Sequence, residues 1–396
     1  MNKHLALSGL IFLFVIIATV AVISIGKGYR FGFNTGKIEI AGTGLLVLKS
    51  TPDSAQVFVN GHLTTATNNT INLSPATYTI KIQKNGYFPW EKKVIIQAEA
   101  VSQANAQLLP IAPKLESITD KGVGSPTIDP SQTRIAYTIS SQSAKLNGIY
   151  VTDTSSRPIL TLQNDSTQIA DDTFAIFSQA KLTWSPDGKQ ILASISAQIG
   201  APTYYLLRSD QFNSAPSDVT EILPTVMAGW NKDKVKIDQA RINSVPPQLR
   251  SVIKNEFAVL VWSPDETKIL YIASESATIP LIITPRLIGT NSTPEQREIK
   301  KGEYYVYDIK EDRNYSLPSE NFAGAYSWFP DSNHFIYVKD QKINFVDSDG
   351  KNNTVFFAGP FDVHFLFPWS DGTRVVILTN LGNLTIAPNL YTISLK

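Results

Sequence analysis

The chain contains no cysteine, and this absence removes several kinds of chemistry. Disulfide bonds, thiolate nucleophiles, iron–sulfur clusters and cysteine-ligated zinc are all excluded. Histidine is scarce as well, and no two of the four histidines stand at a spacing that would bring two metal ligands together. We therefore expect no cofactor and no metal site, with His4, His62, His334 and His364 at the surface or in turns.

Excess charge of one sign is also lacking. Lys and Arg number 35 against 34 for Asp and Glu, which gives a net charge of +1. Such a chain has no overall field to attract a nucleic acid, so we expect no nucleic-acid partner. Charged residues make up only 17% of the chain, and a surface built largely from Ser, Thr, Asn and Gln weakly favours a place outside the cytoplasm. The length of 396 residues predicts more than one domain.

One long run of the chain carries no charge. Residues 5–25 read "LALSGLIFLFVIIATVAVISI", and a helix of this length at ~1.5 Å per residue spans a hydrocarbon layer of ~30 Å. A cleavable signal peptide has a shorter apolar region that ends in an Ala-x-Ala-like site. The run therefore predicts an uncleaved membrane helix at 5–25, after a short tail at 1–4 and before a Gly-rich linker at 26–43.

Two features of the sequence disagree about membrane orientation. Lys27, Arg30 and Lys37 follow the helix and Lys3 precedes it, which favours a cytoplasmic C-terminal side. A very short tail before a long apolar run is typical of a signal-anchor, however, and long domains are translocated largely regardless of charge. We expect a single-pass protein of the cell membrane with its C-terminal domains outside the cytoplasm, and the opposite orientation stays open.

Residues 44–110 alternate apolar and polar positions in short runs that Pro, Gly and Asn separate. This pattern predicts a small antiparallel β-domain. Residues 52–55, "PDSA", favour a turn over a ligand loop, because Asp and Ser bond locally to the backbone and Ala55 enters the core. Asn60 and Gly61 suit a type I′ turn.

The ordered set of these pieces resembles the PEGA domain. "PDSA" stands where that family has Pro-Glu-Gly-Ala, and it is followed by "VFVNG", by "LSPATYTIKI" with Ala76 where Gly is usual, by "NGYFPW" and by "LLP" at 108–110. The resemblance implies a PEGA-type β-sandwich at 44–110, a module found mostly on bacterial and archaeal surface proteins.

One aromatic cluster in this module is a candidate contact surface. Tyr87, Phe88 and Trp90 could form an exposed platform on which a sugar or a peptide stacks. Aromatic residues in a small sandwich belong to the core more often, so both interpretations stay open.

The rest of the chain repeats one pattern of strand, Pro/Asp turn and strand. The repeats are "LTWSPDGKQILASIS" from Leu182, "LVWSPDETKILYIAS" from Leu260 and "YSWFPDSNHFIYVKD" from Tyr326, with weaker copies from Thr127 and Leu366. Such units bury their faces by packing radially around an axis. The Ser-Pro-Asp-Gly-Lys turn resembles the TolB-type and WD40-like repeat, which implies a β-propeller of five or six blades over 114–396.

The spacing of the repeats predicts two insertions. The first lies within about 225–255 and contains two short helical patterns, one of which has Pro247 near its first turn. The second lies within 279–301 and is Pro-rich and loop-like. The last repeat lacks an outer strand, and residues 114–120 are placed to supply it by pairing the start of the propeller with its end.

No catalytic motif is present. The chain lacks the Gly-x-Ser-x-Gly of hydrolases, and "FGFNTGK" at 31–37 lacks the first glycine and the Ser/Thr of a phosphate loop. Residues 347–353, "DSDGKNN", alternate oxygen ligands as calcium loops do, but they lack the distal Glu and predict a plain turn. The sequence assigns no catalytic residue and favours a protein that is not an enzyme.

Together these features favour a membrane-anchored, extracytoplasmic binding or scaffold protein of the cell envelope. The all-β body would present the propeller as a recognition platform, with the two insertions as contact elements and the PEGA-like module as a spacer or wall contact. The partner would be an envelope protein or a cell-wall polysaccharide. A glycan-active enzyme with carboxylates in the propeller channel and a purely structural envelope protein are the alternatives.

Overall fold

The computed structural model describes residues 3–26, 30–34, 37–155, 166–197, 200–317 and 326–396. For residues 3–8, 10, 24–26, 30–34 and 37–41 it describes the backbone alone. The chain divides into two compact units, Met1–Leu109 with Ile283–Glu295, and Pro110–Ile282 with Gln296–Lys396. Most of the regular structure in the described residues is β-strand, which confirms the all-β prediction.

The first unit begins with helix α1 (Lys3–Gly26) and a hairpin of β1 (Arg30–Asn34) and β2 (Lys37–Ala41). Within α1 the exposure of residue 9 and of residues 11–23 is described, and most of these residues are exposed. Within the described part of the chain, no helix combines the length and the apolar character that crossing a membrane requires. The membrane helix at 5–25 therefore stays a prediction.

Seven strands form the small sandwich of the first unit. One sheet has the order β6-β3-β9 and the other the order β5-β4-β7-β8. The pairing is antiparallel except between β3 and β9, which are parallel. Alternate residues point into a shared core that includes Leu46, Val57 and Ile82. The strands are β3 (Gly44–Thr51), β4 (Gln56–Val59), β5 (His62–Ala66), β6 (Asn69–Leu73), β7 (Ala76–Gln83), β8 (Trp90–Ile96) and β9 (Val101–Gln107).

The corner at 52–55 is a turn, as the sequence predicts. Ala55 is fully buried, and its N–H donates to Thr67 Oγ1 at 2.9 Å. Asn60 and Gly61 both adopt positive φ, +49° and +83°, which is the backbone of the expected hairpin turn.

A loop from far along the chain completes the first unit. Residues 283–295 lie against β8 and β9, where the N–H of Ile95 donates to Ser292 Oγ at 2.8 Å. The N–H of Gly289 donates to Gln97 Oε1 at 3.3 Å. Only glycine fits at position 289, because a Cβ there would stand 2.4 Å from the carbonyl oxygen of Val101. The centre of the Pro-rich insertion therefore packs as part of the sandwich unit.

The second unit contains five four-stranded antiparallel sheets and two α-helices among its described residues. The helices are α2 (Leu223–Ser244) and α3 (Pro247–Glu256), with a short 3₁₀ helix at Phe177–Gln179. The strands are β10 (Leu115–Ser117), β11 (Gly124–Ile128), β12 (Arg134–Ile139), β13 (Gly148–Asp153), β14 (Ser166–Asp171), β15 (Lys181–Trp184), β16 (Gln190–Ile195), β17 (Thr203–Arg208), β18 (Ser217–Asp218), β19 (Phe257–Trp262), β20 (Lys268–Ala273), β21 (Ala277–Thr278), β22 (Glu298–Ile299), β23 (Tyr304–Asp308), β24 (Arg313–Ser316), β25 (Ser327–Trp328), β26 (His334–Lys339), β27 (Lys342–Asp347), β28 (Thr354–Ala358), β29 (Leu366–Pro368), β30 (Arg374–Thr379) and β31 (Asn389–Ser394).

The strand order of the five sheets is that of a β-propeller. Sheets 1, 2 and 4 are consecutive meanders, β11-β12-β13-β14, β15-β16-β17-β18 and β25-β26-β27-β28. Sheet 3 is β19-β20-β23-β24, and sheet 5 is β29-β30-β31 with β10 as its fourth strand. The pairing of β10 with β31 confirms that the segment at 114–120 supplies the missing outer strand. It also covers the edge that the last sheet would otherwise expose.

Neighbouring sheets bury their faces against one another. Sheets 5 and 1 share one apolar cluster, sheets 1 and 2 share a second, and sheets 3 and 4 share a third. The face of sheet 3 that carries Trp262 packs instead against helix α3, through Leu249, Val252 and Ile253. An inserted helix therefore takes the place that a preceding sheet takes elsewhere in the unit.

Helix α2 is longer than the sequence predicts. The helical pattern starts at Asp233, whereas the helix begins ten positions earlier, at Leu223. Pro224 is compatible with a first helical turn, where its missing N–H has no partner to lose. Tertiary packing stabilises the added turns, because Trp230 packs in one cluster with Leu192 of sheet 2 and with Val219, which follows β18.

Asp312 joins the two ends of the second insertion. Its carboxylate accepts hydrogen bonds from the N–H of Ile282 at 2.8 Å, from Arg297 Nη2 at 2.9 Å and from the Tyr307 hydroxyl at 2.5 Å. The side chain of Asp312 is almost fully buried, so this cluster closes the base of the insertion.

Candidate recognition cavity

A cavity of about 730 Å³ opens where the turns of several sheets meet helix α2. The turns are those between the first and second strands of sheets 1, 3, 4 and 5, which bring Pro130, Pro264, Pro330 and Pro368 to its rim. The lining residues are Pro130, Ser131, Gln132, Thr133, Lys234, Asp238, Arg241, Ile242, Val259, Leu260, Val261, Trp262, Ser263, Pro264, Glu266, Pro330, Pro368 and Ser370.

Side-chain hydrogen bonds hold the turn of sheet 3 at the rim. In sheet 3, Ser263 Oγ donates to Asp265 Oδ1 at 2.7 Å and accepts the N–H of Lys268 at 2.9 Å. Burial raises the pKa of Asp265, but hydrogen bonds from Ser263 and Thr267 outweigh burial and lower the pKa below its ordinary value. The N–H of Asp265 also donates to Ser332 Oγ of sheet 4 at 3.1 Å, which ties adjacent turns together.

Helix α2 lies along one side of the cavity, and each half of the helix makes one contact with the sheets. Trp230 is buried against sheet 2 in the first half of the helix. In the second half, Arg241 Nε donates to Glu266 Oε1 at 2.8 Å, which links the helix to the turn of sheet 3. Because this ion pair is partly exposed, it contributes about 0–1 kcal/mol, and the apolar contact is the stronger attachment.

The opposite wall is formed by strand β19. Val259 and Leu260 are exposed to the cavity, and Ile242 of α2 adds a third aliphatic side chain. Between Val259 and Val261 the pairing with β20 shifts by one residue, which leaves Leu260 as a bulge. The strand therefore presents apolar side chains to the cavity.

The charges at the cavity nearly cancel. Lys234 and Arg241 oppose Asp238 and Glu266, and Glu266 is already ion-paired to Arg241. In the part of the chain that the structure describes, no three metal-ligating side chains stand together. The arrangement is suited to binding a ligand by its shape and apolar surface.

The aromatic residues singled out from the sequence lie in the first unit. Trp90 is buried in the sandwich core, and Tyr87 packs against the same core while staying partly exposed. Phe88 is half-buried, and its N–H donates to the carbonyl of Leu109 at 2.8 Å. The contact surface at Tyr87, Phe88 and Trp90 stays a prediction.

His334 does not lie where the sequence analysis expects it. Instead of a surface position it is buried at the start of β26, with Nδ1 2.5 Å from Asp331 and Nε2 3.4 Å from Asp347. Asp331 in the preceding turn and Asp347 at the end of the neighbouring strand β27 permit this burial, and the sequence does not show that they converge on His334. The carboxylate of Asp347 thus contacts His334, and it also accepts a hydrogen bond from Asn352 Nδ2 at 2.9 Å. The contact with Asn352 lies within the turn predicted at 347–353.

Neither the cavity nor its wall was found from the sequence. The first insertion was expected to carry contacts, and α2 does line the cavity. The sequence does not show that Val259 and Leu260 are exposed, because similar apolar positions before the tryptophan are buried in other repeats.

A comparison with known protein families decides the nature of the sandwich. Residues 43–111 match the PEGA domain family. The prediction of a PEGA-like module is confirmed, and the seven strands of the sandwich fall within the matched range. No curated protein matches the chain.

Solved structures similar to the chain include TolB proteins and a protease propeller. A TolB of Agrobacterium tumefaciens shares 15% identity, with 69% of this chain and 78% of that one covered, at a TM-score of 0.22. TolB of Acinetobacter baumannii shares 13% identity over 96% and 68% of the two chains, at 0.22. The propeller domain of the trilobed protease of Pyrococcus furiosus shares 13% identity over 89% and 95%, at 0.24. The PEGA domain is identified by its sequence, and the propeller is identified by its strand topology.

Proposed function

We propose that this protein is an extracytoplasmic binding or scaffold protein of the cell envelope, held at the membrane by its N-terminal helix. The domain organisation is a tail at 1–4, an anchor at 5–25, a linker at 26–43, the PEGA domain at 44–110 and a five-bladed propeller at 114–396. The propeller is the recognition platform, and the PEGA domain is a spacer or a wall contact. The recognition cavity beside α2 carries this proposal.

Three properties of the cavity support a binding role. Its volume lies within the ~300–1,000 Å³ that is usual for ligand sites. Its rim is a set of turns fixed by hydrogen bonds, and one wall is an inserted helix, which is the usual arrangement of a binding site on a rigid scaffold. Its charges are paired or balanced, so apolar contact dominates. An envelope protein fits these properties better than a polysaccharide does.

The aromatic cluster of the PEGA domain is a second candidate contact. Tyr87 and Phe88 keep exposed surface next to the buried Trp90, which is sufficient for stacking against a sugar ring or a peptide. In this proposal the cluster contributes to wall contact, and the cavity binds the partner.

The location is tested by protease treatment of intact cells that carry the full chain with a tag after Lys396. We expect the tag to be lost before lysis, because in this proposal the propeller lies outside the cytoplasm and is accessible to the protease. Retention of the tag until lysis would place the propeller in the cytoplasm and overturn the proposed location.

The binding role is tested by a photo-crosslinking amino acid placed on α2 in the full chain. Asp238 lines the cavity, and Asp233 lies on the same helix, is exposed and does not line it. We expect one defined crosslinked product in cells with the probe at 238 and none with the probe at 233. Equal crosslinking at both positions, or none at either, would contradict a recognition role for the cavity.

A further inference from the structure

Strand β19 leaves uncovered a position that the other sheets bury. Val259 pairs with Tyr271 as Leu182 pairs with Ala193, so these two residues hold the same position in sheets 3 and 2. Tyr326 precedes Trp328 in sheet 4 as Leu182 precedes Trp184 in sheet 2. Leu182 and Tyr326 are each 6% exposed, whereas Val259 is 36% exposed and the adjacent bulge residue Leu260 is 49% exposed.

The repeats themselves show what normally covers this position. Leu182 packs in a cluster with Ile149, Val151 and Ile169 of sheet 1. Tyr326 packs in a cluster with Leu270 and Val306 of sheet 3 and with Leu317, which follows β24. In both cases aliphatic side chains of the preceding sheet supply the cover.

In sheet 3 this cover is incomplete. Helix α3 packs with Trp262 and Phe257 in one buried cluster, whereas Val259 and Leu260 stay exposed. Ile242 of α2 lines the same cavity, and both side chains stay exposed there. A wall that is apolar, exposed and adjacent to a ligand-sized volume matches a binding surface better than a solvated face does.

The backbone of β19 is also available on one side. The strand is first in the order of sheet 3, and within the described residues it pairs with β20 alone. A free strand edge accepts an extended peptide by backbone hydrogen bonding, with alternate side chains entering the pockets beside it.

We propose that the cavity binds an extended peptide segment of a partner protein, whose branched aliphatic side chains rest on Val259 and Leu260 in the place of the missing sheet. The inference rests on the proposed function and adds the chemical class of the partner to it. The balanced charge of Lys234, Asp238 and the Arg241–Glu266 pair favours an aliphatic segment over a strongly charged one.

The test uses the full chain in lipid nanodiscs and a fluorescein-labelled peptide, Ser-Val-Ser-Val-Ser-Val, in an anisotropy titration. We expect saturable binding, and we expect the Ser-Ala-Ser-Ala-Ser-Ala peptide to bind about tenfold more weakly or worse, because the apolar area of Val is lost. Val259→Ser and Leu260→Ser should each weaken binding by about tenfold for the same reason. The matched control is Leu384→Ser, at a loop position that is 91% exposed, and it should bind as the wild type does.

Several results would overturn the inference. One is equal binding of the Val and Ala peptides, another is unchanged binding by the Ser variants, and a third is no binding at all. If laurate displaces the labelled peptide at a lower concentration than the unlabelled peptide does, the occupant is a lipid chain. A change of oligomeric state in Leu260→Ser would identify a second copy of the chain. If the probe at Asp238 still crosslinks a partner in cells, these results refute the peptide chemistry while the recognition role stands.

Discussion

Removal of His334 is expected to destabilise the second unit in a pH-dependent way. The imidazole lies between the carboxylates of Asp331 and Asp347 and packs beside the rings of Phe329 and Phe345. Burial alone would lower the pKa of His334. Attraction to Asp331 and hydrogen bonds to both carboxylates outweigh burial and raise the pKa to about 10. The side chain of His334 is therefore charged at neutral pH, and it balances the negative charge of the neighbouring carboxylates.

The size of the effect follows from the burial of this ion pair. The imidazole of His334 is 6% exposed, and the carboxylate of Asp347 is 10% exposed. Removing one member of a buried ion pair costs about 3–5 kcal/mol, because the remaining charge stays buried without its partner. We therefore expect His334→Gln to lower the free energy of unfolding by about 3–5 kcal/mol near neutral pH.

The direction of the pH dependence is fixed by the sign of the shift. Because the folded pKa lies above the unfolded one, His334 contributes fully below about pH 6.5, and its contribution is lost as the pH rises through about 10. Burial raises the pKa of Asp331, but His334 outweighs burial and lowers it. The contribution of Asp331 is therefore present above its unfolded pKa and lost as the pH falls through the folded value.

Urea unfolding of the full chain, followed by tryptophan fluorescence, measures the effect. Trp328 lies in the same sheet as His334 and reports on its unfolding. Between about pH 6 and about pH 10.5 the wild-type midpoint should fall more than that of His334→Gln, which has already lost the contribution. His364→Gln removes an exposed histidine and serves as the control. Equal midpoints for His334→Gln and wild type at the lower pH would refute the reasoning.

Three other changes test the packing of the second unit. Trp230→Ala should cost about 3 kcal/mol and speed tryptic cleavage within α2, because the helix loses its main contact with sheet 2. Asp312→Ala should cost about 3–5 kcal/mol in urea unfolding, because Arg297 keeps its buried charge without the carboxylate. Glu116→Pro should cost about 1–3 kcal/mol and speed hydrogen exchange in β31, because β10 loses a backbone donor.

Each of these changes has a matched control. Met227→Ala removes an exposed side chain from the same helix as Trp230 and should leave cleavage unchanged. Glu298→Ala removes an exposed acid near the base of the second insertion and should leave unfolding unchanged. Glu116→Ala keeps the backbone donor and should leave exchange unchanged. If a control behaves like its test variant, the contact assigned to that variant is not the cause of the measured change.

The sequence predicted most of the architecture because the relevant signals are local. The alternating runs, the Asn60–Gly61 turn and the repeated Ser-Pro-Asp turns fix strands and their immediate connections, and the structure has them there. The pairing of β10 with β31 was also predictable, since the last repeat was one strand short. The start of α2 was not, because packing of Trp230 on sheet 2 extends the helix beyond its local pattern.

The sequence by itself determined most of the strands and turns, the PEGA domain and a propeller of five or six blades. Only the tertiary structure decided which apolar side chains are covered, because cover comes from whichever sheet or helix packs against them. Leu182 and Val259 lie in closely similar repeats, yet a preceding sheet covers Leu182, and Val259 stays exposed beside a cavity. His334 is buried for the same kind of reason, since acids from a turn and from a neighbouring strand surround it. The cavity lies where strand β19 faces helix α2 and the turns of neighbouring sheets, an arrangement that only the folded chain brings together.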